Sequence, residues 1–259
     1  MPTCHANADG TIERAEMPYL IGATERIRVG THVPVDVNGK PGRSTQEPGQ
    51  GSARVWDLSR PDPDGEATGL LTLEDIHGQW FADQFPSANV AGPLAPSSSS
   101  PAGDDTLLGP LALTDQGVQL LGSASKGEHP SDGQTLLIYD TPVLLYPFPL
   151  ALGTHVVTDA RAIDGLAEGI PVAVDDTYTV DVTAHGQVIL PDLILDDALR
   201  VTIRLERTPV AGNAVQQVSQ VFVTECLGEV ARFVSPFVPL DQPLDDDFPV
   251  ADQVWRLSL

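Results

Sequence analysis

The residues of this sequence best suited to chemistry are its clustered aspartates. Asp245, Asp246 and Asp247 follow one another in a short segment between Pro243 and Pro249. Ca²⁺ takes many oxygen ligands in flexible geometry, so carboxylates from several loops can share one ion. Successive side chains of an extended segment point apart, so at most two of the three reach the same ion. The cluster predicts a Ca²⁺ site completed by backbone carbonyls or a neighbouring loop; the alternative is a solvated acidic loop.

The two cysteines are the second chemical feature. Cys4 lies in a polar N-terminal segment, and Cys226 ends the apolar stretch VFVTEC. A bridge between them would close a loop of most of the chain, which the loop-entropy account values at about 5 kcal/mol. Disulfides persist in oxidising compartments, so the bridge predicts an exported protein. Two free thiols, or a Cys4 lipidated as the first residue of a bacterial lipoprotein, are the open alternatives.

Catalytic patterns are weak throughout the sequence. The histidines show no metal-ligand spacing, and no G-x-S-x-G occurs. Ser123 and Lys126 match S-x-x-K, but they lie in a glycine-flanked turn without the partner motifs of that chemistry. Paired carboxylates could hydrolyse glycosides, yet among 36 acidic residues some pair meets the distance in any fold. The sequence therefore predicts a protein without catalytic residues, with a polysaccharide hydrolase as the alternative.

The charge balance excludes whole classes of partner. The chain has 14 basic and 36 acidic residues, and its net charge is −22. Binding to nucleic acid or to an anionic membrane through a broad basic face requires clustered Lys and Arg, which are lacking. No apolar run reaches the roughly 20 residues of a membrane span, so no transmembrane segment is expected.

The candidate residues described above must be positioned by β-strands, because apolar and polar residues alternate over much of the sequence. Tyr178, Val180 and Val182 alternate with polar residues before a turn predicted at His185-Gly186. Similar patterns predict strands at 24–37, 52–58, 68–76, 78–85, 106–113, 117–123, 134–139, 142–147, 154–160, 177–184, 187–190, 198–206, 215–225, 229–235 and 253–258. Many short strands with turn residues between them predict an all-β, antiparallel β-sandwich with long loops, as a jelly-roll or Ig-like variant.

The polar and Pro/Gly-rich segments of the sequence predict how the chain is divided. Residues 1–16 are polar and are expected to form an irregular tail. Residues 86–105 are rich in Pro, Ser and Gly and predict a mobile loop or a domain boundary. Because the first 85 residues would make a thin core alone, the prediction is one domain over residues 1–259.

Three segments together resemble a known type of domain. They are WDLS at 56–59, YPFPLALG at 146–153, and GQVILP at 186–191 with LRV at 199–201. They are similar to uncharacterised β-sandwich domains of secreted bacterial surface proteins, although Asp192 stands where those domains commonly have Gly. The resemblance implies export and a sandwich, and it implies no catalytic residues.

These observations lead to one functional hypothesis. The chain is expected to be a non-catalytic extracytoplasmic module, secreted, periplasmic or on the outer surface, with a calcium-stabilised form as one version. Its expected partners are other surface or matrix proteins or polysaccharide. The alternatives are the hydrolase and a lipid-anchored envelope component held through Cys4.

Overall fold

The chain folds as an all-β protein in a computed structural model, which describes residues 4–18, 24–41, 53–60, 66–94 and 107–258. The strands are β1 (Thr11–Ile12), β2 (Thr24–Pro34), β3 (Lys40–Pro41), β4 (Arg54–Asp57), β5 (Ala67–Thr72), β6 (Glu74–Asp75), β7 (Val90–Pro93), β8 (Leu107–Thr114), β9 (Gly117–Ser125), β10 (Leu136–Pro147), β11 (Leu150–Ala151), β12 (His155–Ala167), β13 (Ile170–Ile189), β14 (Ile194–Pro209), β15 (Val215–Thr224), β16 (Gly228–Val234), β17 (Val238–Pro239) and β18 (Val250–Leu257). Three short 3₁₀ helices accompany them, η1 (Arg14–Glu16), η2 (Ile76–Gly78) and η3 (Ala82–Gln84). In the described ranges no helix has the length and apolar character of a membrane span.

Most strands belong to one curled antiparallel sheet, in the order β5-β2-β18-β16-β15-β14-β13-β12-β10-β9-β8-β7-β6. Near its two ends the sheet almost meets itself, because Cα atoms of β5 come within 8 Å of those of β7. The sheet is therefore nearly a closed barrel, with a seam between β5 and β7. The predicted all-β class is confirmed. The finer prediction of a sandwich is not confirmed, since most of the described strands follow one continuous path.

Both faces of this sheet carry apolar cores. On β15, Val221 and Val223 join a core on the inner face, while Val218 and Phe222 face an outer core. This period of two is what the sequence alternation predicts. The outer core is covered partly by β4, whose Trp56 is fully buried and meets the Phe222 ring edge-on at 5.0 Å. Burial of each such side chain stabilises the fold by roughly 1.5–3 kcal/mol.

The predicted hairpin turn at His185-Gly186 is wrong, because β13 runs unbroken through both residues. The chain reverses only beyond it, where the Leu190 N–H donates to the Leu193 carbonyl at 2.8 Å. Gly186 serves close packing instead. Its φ is +156°, and a Cβ there would lie 2.0 Å from the Arg54 carbonyl oxygen. β4 pairs in parallel with β13 at this point, so only glycine lets the two backbones approach.

The predicted strand at 78–85 is also wrong, since this segment forms turns around η2 and η3. Phe81 and Phe85 are buried on a third core, against the outer face of β8 and β9. Their spacing of four residues suits one helical turn and should have indicated it.

Two predicted irregular segments contain paired strands. In the tail, β1 pairs with β11 and Ile12 is buried in the inner core, as is Met17 directly after the tail. Within 86–105, residues 90–93 form β7, with Val90 and Ala91 buried, while residues 95–105 lie outside the described ranges. Strands on both sides of that segment share one sheet; the division into domains stays a prediction.

Candidate functional site

A pocket of about 180 Å³ lies at the seam where the two ends of the curled sheet approach each other. Its apolar walls include Leu71, Leu73, Leu94, Leu111, Leu145 and Trp255. Leu71 belongs to β5 and Leu94 directly follows β7, so the walls come from opposite ends of the strand order. Near-closure of the sheet thus leaves apolar side chains facing a space.

One side of the pocket is formed by a buried polar group of three residues. The guanidinium of Arg232 donates to Glu229 Oε1 at 2.6 Å and to the Tyr146 hydroxyl at 3.2 Å. Tyr146 in turn donates to the same oxygen of Glu229. The side chains of Arg232 and Glu229 are only 14% and 19% exposed. Burial lowers the pKa of Arg232, but Glu229 and Tyr146 outweigh it, so its pKa lies above the ordinary value.

Arg232 also keeps one donor without a partner. Its Nη1 reaches the Leu94 carbonyl at 3.4 Å, but its buried Nε–H has no hydrogen-bond partner among the described residues. A buried donor that stays unpaired is unfavourable by about 1–3 kcal/mol. Glu229 therefore holds the Arg232 guanidinium in place, while the Nε–H of Arg232 remains without an acceptor among the described residues.

Two β-bulges aim these side chains into the pocket. Residues 229 and 232 of a regular strand would face opposite sides. Between Phe222 and Val223 of β15, however, the partner strand β16 advances by two residues, so Val230 is an extra residue and Glu229 and Arg232 share a face. Leu145 is extra in β10 in the same way, which lets it line the pocket together with Tyr146.

Glu25 contributes a second carboxylate to the pocket. It shares one face of β2 with Ile27 and Val29, which are buried beside Trp255. The side chain is half-buried and makes no hydrogen bond or ion pair among the residues that the structure describes. Burial raises the pKa of Glu25, and repulsion from the Glu229 carboxylate raises it further.

The predicted disulfide is confirmed and forms part of the same wall. Cys4 and Cys226 are bonded, with Cα atoms 5.6 Å apart, and Cys226 lines the pocket. The Cys226 N–H donates to the Glu16 carbonyl at 2.7 Å, and Pro18 also lines the pocket. The disulfide therefore holds the N-terminal segment beside the pocket.

The aspartates predicted to bind calcium lie elsewhere, in the segment between β17 and β18. Asp246 pairs with Arg204 at 2.7 Å and Asp247 with Arg200 at 3.1 Å. No group of three or more His, Cys, Asp or Glu is arranged to hold a metal in the described part of the chain. Calcium binding there stays a prediction, as does the alternative of a solvated acidic loop; the structure adds that two of the three aspartates are paired with arginines.

The arginines of β14 are what sequence reasoning missed. Counting basic residues shows no cluster, but Arg200 and Arg204 are four residues apart on a strand and so share one face. That spacing was the signal for a row of cations opposite the acidic segment. Arg207 instead makes two hydrogen bonds to the fully buried Asp176, at 2.8 and 2.7 Å.

The Asp176 carboxylate belongs to a satisfied structural cluster. Tyr139 donates to it at 2.6 Å and lies 3.1 Å from the Tyr178 hydroxyl. Burial raises the pKa of Tyr139, and the neighbouring Tyr178 and Asp176 raise it further. Because every charge here has its partner, the cluster cross-links β10, β13 and β14 and leaves nothing for a ligand.

No protein-family model, curated protein or solved structure matches the chain.

Proposed function

We propose that the protein is a non-catalytic extracytoplasmic binding protein that holds one small amphipathic molecule in the seam pocket. The observation that carries the proposal is the pocket itself, in which mostly apolar side chains face a space bordered by the Arg232–Glu229–Tyr146 group. Concave apolar sites with a few fixed polar groups are the usual form of small-molecule sites.

The size of the pocket limits the ligand. An apolar cavity of about 150 Å³ is known to hold benzene, so about 180 Å³ suits one six-membered ring with a short substituent. The proposed ligand is therefore a small molecule, whereas the sequence-based hypothesis expected a protein or a polysaccharide as the partner.

The free carboxylate sets the orientation of the ligand. Glu25 lacks a donor among the described residues, whereas the unpaired Arg232 Nε–H is itself buried. A ligand whose polar end donates to Glu25 would gain a hydrogen bond that the free protein does not make, while its ring contacts the leucines.

The disulfide supports the proposed extracytoplasmic location. A bond between Cys4 and Cys226 persists under oxidising conditions, as outside the cytoplasm. An acidic surface of net charge −22 suits a protein that remains dispersed there.

A hydrolase is the second candidate, because Glu25 and Glu229 bring two carboxyl groups into one pocket. Glycoside hydrolysis uses a pair of carboxyl groups on either side of the scissile bond. The apolar walls offer few hydrogen bonds to a sugar, which favours binding. Turnover of an aryl glycoside that is lost in Glu229→Gln would establish the hydrolase instead.

Isothermal titration with benzyl alcohol tests the binding function. We expect saturable one-to-one binding at about millimolar Kd or tighter. Leu71→Trp fills the pocket and should weaken binding at least tenfold. Leu70→Trp is the matched control, since Leu70 is the neighbouring residue on β5 and is 58% exposed. The proposal fails if no single-ring probe binds the wild type, or if both variants bind equally.

A further inference from the structure

We propose that the natural ligand is a small apolar amine, with the Glu25 carboxylate as the counter-ion of its ammonium group. The inference rests on the proposed binding function and names the chemical class of the ligand. It follows from the charges that line the pocket and from the contacts that each of them makes.

The ionisable side chains that line the pocket do not balance. They are Glu25 on β2, Tyr146 on β10, and Glu229 and Arg232 on β16. Arg232 is paired with Glu229 at 2.6 Å, and Tyr146 hydrogen-bonds to both. Glu25 is left over, so the pocket carries one net negative charge when Glu25 is ionised. A monocation is the complement of that charge.

The surroundings of Glu25 make its charge unfavourable until a cation arrives. Its carboxylate has no ion-pair partner among the described residues, and both burial and the nearby Glu229 carboxylate raise its pKa. An ammonium beside Glu25 would supply the missing opposite charge and up to three N–H donors. Ligand binding and ionisation of Glu25 are therefore coupled.

Other ligand charges fit less well. A carboxylate would meet Glu25 and Glu229 with only Arg232 to offset them, and the net charge of −22 would oppose its approach. A neutral alcohol would leave the Glu25 charge uncompensated. Trp255 adds a further preference, because an indole in the wall is the best aromatic partner for a cation.

Three probes of one shape separate these possibilities. Titrations of the wild type with benzylamine, benzyl alcohol and benzoate compare a cation, a neutral molecule and an anion on the same ring. Each is repeated with Glu25→Gln and with Glu128→Gln, which removes the same charge from an exposed residue outside the pocket. A second arm repeats the benzylamine titration at about pH 5 and at about pH 8.

We expect benzylamine to bind the wild type at least tenfold tighter than benzyl alcohol, with benzoate weakest. Glu25→Gln should lose the tenfold preference while keeping benzyl alcohol affinity within twofold, and Glu128→Gln should behave as the wild type. Benzylamine affinity should fall at the lower pH. If benzyl alcohol or benzoate binds best, or if Glu25→Gln keeps the preference, the amine is excluded while the binding function stands. If none of the probes binds, both are overturned.

Discussion

Glu25 of β2 and Glu229 of β16 lie two strands apart on the sheet, with β18 between them, and both line the seam pocket. The two carboxylates have different neighbours. Glu229 accepts from Arg232 and Tyr146, whereas Glu25 has no partner among the described residues, and Glu229 raises its pKa. The Glu229 carboxylate is therefore already hydrogen-bonded within the protein, whereas the Glu25 carboxylate can bind a ligand.

The pH dependence of stability should reveal Glu25. Because its pKa in the folded protein is raised, the protonated form favours folding, and this stability is lost as pH rises through that pKa. Glu25→Gln should melt with the wild type at about pH 4 and about 1–2 °C above it at about pH 7, after allowance for solvent screening. Thermal melts across pH measure the difference, with Glu128→Gln as control. A Glu25→Gln variant less stable than wild type at neutral pH would contradict the account.

Removing Arg232 should be far more damaging than removing an exposed arginine. Arg232→Met leaves the mostly buried Glu229 without its cation, which should lower the free energy of unfolding by about 3–5 kcal/mol. Arg161 pairs with Asp175 where both side chains are more than half exposed, so Arg161→Met should lower it by less than about 1 kcal/mol. Urea denaturation gives both values. The double variant Arg232→Met/Glu229→Gln should recover most of the loss, and equal losses for the two arginines would refute the buried pair.

Close packing at Gly186 predicts a large steric effect. A Cβ at Gly186 would meet the Arg54 backbone, whereas Gly153, which also has positive φ, has nothing within 4 Å of an added Cβ. Gly186→Ala should therefore destabilise the fold by at least about 2 kcal/mol more than Gly153→Ala. Equilibrium unfolding of the two variants makes the comparison, and similar losses would mean that backbone strain alone requires glycine.

Much of this fold follows from local pattern, and the pocket does not. Alternation correctly predicts strands such as 198–206, because the odd-numbered residues 199–205 face the inner core and the even-numbered residues 200–206, which are polar, lie on the other face. Gly186 misleads because a glycine suits both a turn and a close approach. The Glu229–Arg232 pair is hidden from a period-two interpretation, since a bulge at Val230 places both on one face. Leu71 and Leu94 meet only through closure of the sheet, a long-range event with no local signature.

The arginine pairing predicts little response to calcium. Asp246 and Asp247 already contact Arg204 and Arg200, so an ion would have to displace both guanidinium groups. Melting curves in EDTA and in millimolar Ca²⁺ should agree within about 1 °C, since an ion that does not bind adds no stability. A rise of several degrees with Ca²⁺ but not with Mg²⁺ would restore the sequence-based prediction of a site at 245–247.

The central claim is that the seam pocket binds a small molecule, and crystals soaked with a brominated probe test it most directly. Separate crystals would receive 4-bromobenzylamine and 4-bromobenzyl alcohol, and anomalous scattering would locate the bromine. The account predicts that the strongest bromine peak lies among Leu71, Leu94 and Trp255, with the polar end of the probe toward Glu25 and Arg232. Bromine found only outside the pocket, with the pocket unchanged in both soaks, would contradict it.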